Sequence, residues 1–201
     1  MASHAVPNGH PARGMTLEEW ASLPEDDDGE LVGGQLAEEE LPDFVHELVV
    51  VWLTSALRSW LAPRGGFVGG SEAKLAIREG QGRKADALAY FPERRPPARG
   101  LIRIPPDLVL EVVSPSPRDG RRDRVEKISD YAAFGVRWYW LLDPELRTFE
   151  VLELGADGRY AHALAVAGGV QSSIPGCEGL SIDLDELWRE IDRLSRGTEP
   201  A

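Results

Sequence analysis

The stretch Asp107-Leu108-Val109-Leu110-Glu111-Val112-Val113-Ser114 sets one carboxylate in the middle of an almost continuous aliphatic run. Such a run predicts a strand covered on both faces. A glutamate there is costly unless it is paired, protonated or bound to a metal. Glu111 therefore either pairs with Lys127 or an arginine and fixes the core, or it belongs to a site. In both cases the rest of the chain must bring it a neighbour.

The flanking segments offer candidates. Phe67–Ile77, after the Gly65-Gly66 turn, predicts a strand carrying Glu72. Glu79-Gly80-Gln81-Gly82 is a turn, and Lys84–Tyr90 is the next strand, with Asp86 near its start. Consecutive strands usually neighbour each other, so Asp86 and Glu111 can converge at one end of a sheet. Arg121–Phe134 predicts a helix, with Ser116 or Asp119 near its start and Gly135 as its stop. Val125, Ile128 and Ala132 form its expected buried stripe. Arg124, Lys127 and Tyr131 fall together on a flank. Two carboxylates and an amine are the minimum for holding a divalent ion and activating water. Hard oxygen ligands suit magnesium or manganese. A metal so held binds a phosphate oxygen and lowers the pKa of bound water. Lys127 would orient that water or neutralise developing charge.

The remaining chain reads as scaffold. Thr16 and Glu19 make a capping box for a short helix. Glu30–Leu36 predicts two short strands around Gly33-Gly34. Asp43–Leu61 has helical spacing, with Asp43 as N-cap and Pro63 as stop. His46, in its first turn, either lines a site or is an ordinary surface histidine. Pro92–Pro106 is a long loop rich in Pro and Arg. Arg137–Leu142 is a strand with Trp138 and Trp140 on one face, which suits the core or a dimer contact better than base stacking. A hairpin, Thr148–Leu154 with Tyr160–Val166, leads to a last amphipathic helix capped by Asp183 or Asp185. The order predicts an α/β (α+β) fold with a mixed central sheet flanked by helices. It is expected to form one domain over 15–195, between tails 1–14 and 196–201.

Composition narrows the function classes. The net charge of −12 weighs against sequence-independent nucleic-acid binding, yet Arg83–Lys127 carries 11 basic and 7 acidic residues. That is either uneven surface or a basic rim around an anionic-substrate site. A single cysteine, Cys177, excludes an internal disulfide and fits a reducing cytoplasm. No apolar run is long enough for a membrane span. Ser114 and Ser116 lack a nearby histidine, and Cys177 lacks a basic neighbour, so neither reads as a nucleophile.

Asp86, the Pro106–Ser116 segment, Lys127, Tyr131 and Gly135-Val136-Arg137-Trp138-Tyr139-Trp140-Leu141-Leu142-Asp143-Pro144 resemble the Uma-type putative restriction endonuclease family of the PD-(D/E)XK nuclease superfamily. The likeness covers roughly Thr16 to Trp188. It implies a restriction-endonuclease-like core, DNA as substrate and magnesium, or manganese, held by Asp86 and Glu111. The superfamily lysine two residues after the glutamate is Val113 here, and the resemblance implies that Lys127 supplies the amine instead. The proline usual before the first aspartate is Ala85. Glu30 and His46 match positions near the site, as secondary ligands or water contacts. The Arg94–Arg103 loop and Arg118–Arg124 would contact the phosphate backbone, and pairing of two active sites would make a homodimer. A second class stays open: a nuclease fold without activity that serves as a binding or assembly module. A carboxylate-pair hydrolase acting on a sugar is a third.

Overall fold

The computed structural model describes residues 14–24, 27, 29–37, 42–114 and 122–196. The expected tails, apart from Gly14 and Arg196, lie outside these residues. So do Ser116, Arg118 and Asp119.

A six-stranded mixed sheet forms the centre, in the order β10-β9-β8-β7-β6-β3. Its strands are β3 (Phe67–Gly70), β6 (Ala87–Tyr90), β7 (Leu108–Val112), β8 (Trp138–Asp143), β9 (Thr148–Leu154) and β10 (Tyr160–Val166). Only β7 and β8 run parallel in it. Their connection passes through a π-helical turn, Arg122–Lys127, and α3 (Ile128–Phe134). Gly135 ends α3 at a φ of 91°, the left-handed stop its position predicted.

A smaller antiparallel sheet, β2-β1-β5-β4, joins β1 (Glu30–Val32), β2 (Gln35–Ala37), β4 (Lys74–Arg78) and β5 (Gln81–Lys84). Two expected strands are thereby corrected. Phe67–Ile77 breaks around Glu72 into β3 and β4, and Lys84–Tyr90 breaks at Ala85-Asp86 into β5 and β6. Each pair is divided between the two sheets. Gln81 and Gly82, expected in a turn, belong to β5. Gly69-Gly70-Ser71-Glu72 interrupts the apolar pattern at the first break, whereas at the second only Asp86 separates Ala85 from Ala87–Tyr90, so the sequence does not show there that the chain changes sheets.

α2 (Phe44–Leu61) packs on one face of the large sheet with α4 (Leu184–Arg196). Val49, Leu53 and Leu57 of α2 meet Leu108, Leu110 and Val112 of β7 in this core. Trp138, Trp140 and Cys177 lie in it too, which settles the tryptophans as core. Burial pushes the Cys177 thiol up to about 12, so it stays protonated. The opposite face holds Val109, Val113, Tyr139 and Leu141, packed against Tyr131 and Leu75. Burying both faces of β7 accounts for its aliphatic run. A third cluster gathers under α1 (Leu17–Ala21) around Trp20. β11 (Val170–Gln171) and β12 (Ile182–Asp183) pair separately. No helix among the described residues is long and apolar enough to cross a membrane.

Trp20 is fully buried, and its indole N–H donates to the Gly29 carbonyl at 2.9 Å. A Cβ at Gly82 would lie 2.3 Å from this ring. Gly82→Ala is therefore expected to lower stability by about 1–3 kcal/mol, the usual cost of overpacking. A urea midpoint unchanged from wild type would contradict that packing.

Candidate active site

Side chains alternate along β7. Leu108, Leu110 and Val112 point to the α2 side, so Glu111 points to the side of α3 and the small sheet. Glu111 is buried, and both its oxygens are engaged. Oε1 accepts from the Tyr131 hydroxyl at 2.5 Å and Oε2 from Lys127 Nζ at 2.9 Å. Burial first, and the charges of Glu111 and Glu30 next, hold the Tyr131 pKa well above its ordinary value. The phenol therefore stays protonated and donates.

Lys127 ends the π turn, and Tyr131 follows four residues later on α3. The expected apolar stripe on this helix is corrected at Val125; Ile128 is half-buried against the core. Val125 is 58 % exposed, while Lys127, Asp130 and Tyr131 are buried. The inward face is mixed: Ile128 and Tyr131 pack with the aliphatic cluster of Val109, Val113 and Leu141, while Lys127 and Asp130 meet carboxylates and arginines. Arg124 was expected beside Lys127. It instead pairs with Glu150 at 2.7 Å and Asp143 at 3.0 Å.

Asp86 occupies the bend between β5 and β6. Ala87 pairs with Leu110 in the antiparallel register, so the next pair outward sets Asp86 opposite Glu111. The Val112 amide donates to Asp86 Oδ2 at 2.7 Å, and His46 Nε2 lies 3.3 Å from the same oxygen. His46 enters from the first turn of α2, whose N-cap Asp43 accepts from the His46 amide at 2.8 Å. Burial lowers the His46 pKa. The hydrogen bond and charge of Asp86, with Glu47 and Asp43, outweigh burial and raise it overall.

Behind Lys127 lies a buried ionic layer. Arg83, 1 % exposed, bridges Glu30 at 2.6 Å and Asp130 at 2.8 Å. Glu30 also accepts from the Lys84 amide at 3.0 Å and lies 3.8 Å from Lys127 Nζ. Gln81 donates to Asp130 at 2.7 Å and Arg78 at 2.8 Å. The contacts form two groups: Glu30, Lys127, Tyr131 and Glu111 on the α3 side, and His46 with Asp86 where α2 meets the bend, joined at β7 through the Val112 amide. Glu30 reaches the group through the lysine, and its own charge is met by Arg83. Arg83 and Asp130 were missed from sequence. Their signals were two consecutive cations inside a buried strand and an aspartate three residues after Lys127.

A family model described as Uma2, putative restriction endonuclease, matches residues 16–185. The chain belongs to the Uma2 family. A crystal structure of a putative nuclease belonging to DUF820 from Anabaena variabilis resembles this Uma2 chain with a TM-score of 0.70 at 18 % identity. The match covers 87 % of this chain and 98 % of that one, and at such identity it shows the fold. No curated protein matches the sequence. The family description supports a nuclease-like function.

Among the described residues of this Uma2 chain, no group of three or more His, Cys, Asp and Glu side chains is arranged to hold a metal. The donor chemistry nevertheless fits a hydrated magnesium ion, which commonly takes one or two carboxylates and keeps several waters. Asp86, at the bend before β6, and Glu111, on the neighbouring β7, are hard oxygen donors. In the long loop, Arg94 pairs with Asp107, Arg103 with Glu18, and Arg95 lies over the Phe67 ring. Each of these three arginines thus has a contact within the chain, of the exposed kind that is worth about 0–1 kcal/mol.

Proposed function

We propose that this chain is a metal-dependent endonuclease that hydrolyses phosphodiester bonds in DNA. The observation that carries the reading is Asp86 at the bend before β6, accepting from the amide of Val112 next to Glu111, with Lys127 Nζ 2.9 Å from Glu111. Asp86 and Glu111 would hold magnesium, with manganese as a substitute. The ion would supply Lewis-acid stabilisation of phosphate charge and a more acidic water. Lys127, ion-paired with Glu111 and 3.8 Å from Glu30, would place its amine beside the reacting phosphate. Tyr131 fixes the rotamer of Glu111. His46 holds Asp86 from the opposite side, and Glu30 positions Lys127 from behind.

Supercoiled plasmid and single-stranded DNA, each incubated with magnesium, manganese or chelator, test the reading. Metal-dependent nicking by wild type is expected, with a loss of about 10²–10³-fold in Asp86→Ala and Lys127→Ala, the scale of removing one transition-state stabiliser. Nicking that survives both substitutions would refute this site.

One observation favours a second reading, an inactive nuclease fold used for binding or assembly. Lys127 and Tyr131 satisfy both oxygens of Glu111, so the ion pair can serve as a core clasp alone. Calorimetry distinguishes the two, because the clasp requires no millimolar magnesium affinity.

A further inference from the structure

α2 buries Val49, Leu53, Leu57 and Leu61 against the large sheet. Its outward side is also apolar. It lines a groove of about 590 Å³, to which Glu190 of α4 contributes. Phe44 and Val51 on this side are 69 % and 62 % exposed. Large apolar side chains held in water on a helix face mark a surface that has a partner.

The arrangement of this face says which partner. Phe44, Leu48, Val51, Trp52, Ser55 and Ser59 all line the groove. Reversing α2 about the midpoint between Val51 and Trp52 carries Phe44 onto Ser59, Leu48 onto Ser55 and Val51 onto Trp52. An antiparallel copy would therefore meet Phe44 and Leu48 with serines at both ends. Small residues facing large ones let two helices approach to the usual 8–10 Å. Charge follows the same symmetry. Glu47 and Arg58 are 11 positions apart, about three turns, and so share one flank of the stripe. The reversal carries Glu47 to the level of Ala56, two positions or about 3 Å along the axis from Arg58 of the other copy on the same flank, within reach of the long arginine side chain. In its own chain Glu47 lies 3.8 Å from His46. Both are exposed, and Arg58 has no ion-pair partner among the described residues. A face complementary to itself in shape and charge is what a two-fold contact requires.

We propose that the outward face of α2 docks a second copy of this chain as a two-fold, antiparallel α2–α2 pair. The inference does not depend on the nuclease reading. One helix face buries less than the roughly 800 Å² per partner of a standard interface, so the dimer is concentration-dependent.

Sedimentation equilibrium of the full chain over a wide concentration range is the test. The mass is expected to rise from 22.1 kDa toward twice that value. Val51→Asp, at an exposed position that leaves the fold intact by circular dichroism, is expected to stay monomeric. Glu47→Arg and Arg58→Glu should each weaken the dimer, and the double exchange should restore it. Val51→Cys should cross-link to itself on oxidation. Phe44→Cys should do so only when mixed with Ser59→Cys. A monomer at every concentration, a dimer indifferent to Val51→Asp, or a double exchange that restores nothing would each overturn the proposal. Efficient self-cross-linking of Phe44→Cys would overturn the antiparallel arrangement.

Discussion

Arg83→Met is expected to remove about 3–5 kcal/mol of stability, the range for breaking a buried ion pair from one side. The methionine keeps most of the stem's volume, so packing is not the main loss. The loss is that Glu30, fully buried, and Asp130, nearly so, no longer have a cation between them. Arg83 is held charged beyond its ordinary range. Burial opposes the charge, but Glu30 and Asp130 more than compensate. Without it, Gln81 and Arg78 still serve Asp130, whereas Glu30 keeps only the Lys84 amide and a longer approach from Lys127. Urea titrations of both proteins check this. A loss under about 1 kcal/mol would mean that Arg83 is not the counter-ion of this layer.

Glu111→Gln is expected to lower magnesium-dependent cleavage by about 10²–10³-fold while the fold survives. The amide has the carboxylate's shape but offers one acceptor oxygen and no charge. Either Lys127 or Tyr131 would face an N–H₂ group in place of an acceptor. The phenol can turn to accept, whereas the ammonium cannot, so the oxygen should stay with Lys127. The stability cost should then be about 1–3 kcal/mol, that of one impaired buried hydrogen bond. Cleavage assays beside calorimetric magnesium titrations separate the effects. Lost metal affinity with a retained fold supports the ligand role. Full cleavage in the variant would remove Glu111 from the chemistry.

How much of this was legible varies by element. The β7 strand could be read because its apolar run is longer than a one-faced strand needs, and one carboxylate interrupts it. Lys127 and Tyr131 came from helical spacing, which holds from the end of the π turn into α3. Val125 was misplaced because two of the buried positions in this segment are Lys127 and Asp130, which hydrophobic pattern marks as solvent. The division at Asp86 escaped for another reason. Asp86 was legible as a carboxylate near a strand end, but its place at a change of sheet depends on tertiary pairing. Arg83 and Asp130 lie 47 positions apart. Only the closed fold makes them partners, so no local pattern could join them.

The change of sheet at Ala85-Asp86 has a mechanical meaning. The chain crosses between the small and large sheets twice nearby, once around Glu72 and once at Asp86. The two crossings lie side by side and tie the sheets together, and Asp86 sits in one of them. Lys127 spans the same gap, with Glu30 of the small sheet on one side and Glu111 of the large sheet on the other. Spreading the sheets would pull these carboxylates away from their shared ammonium. A one-residue insertion between β3 and β4 would therefore disturb the site at a distance, with every site residue left in place.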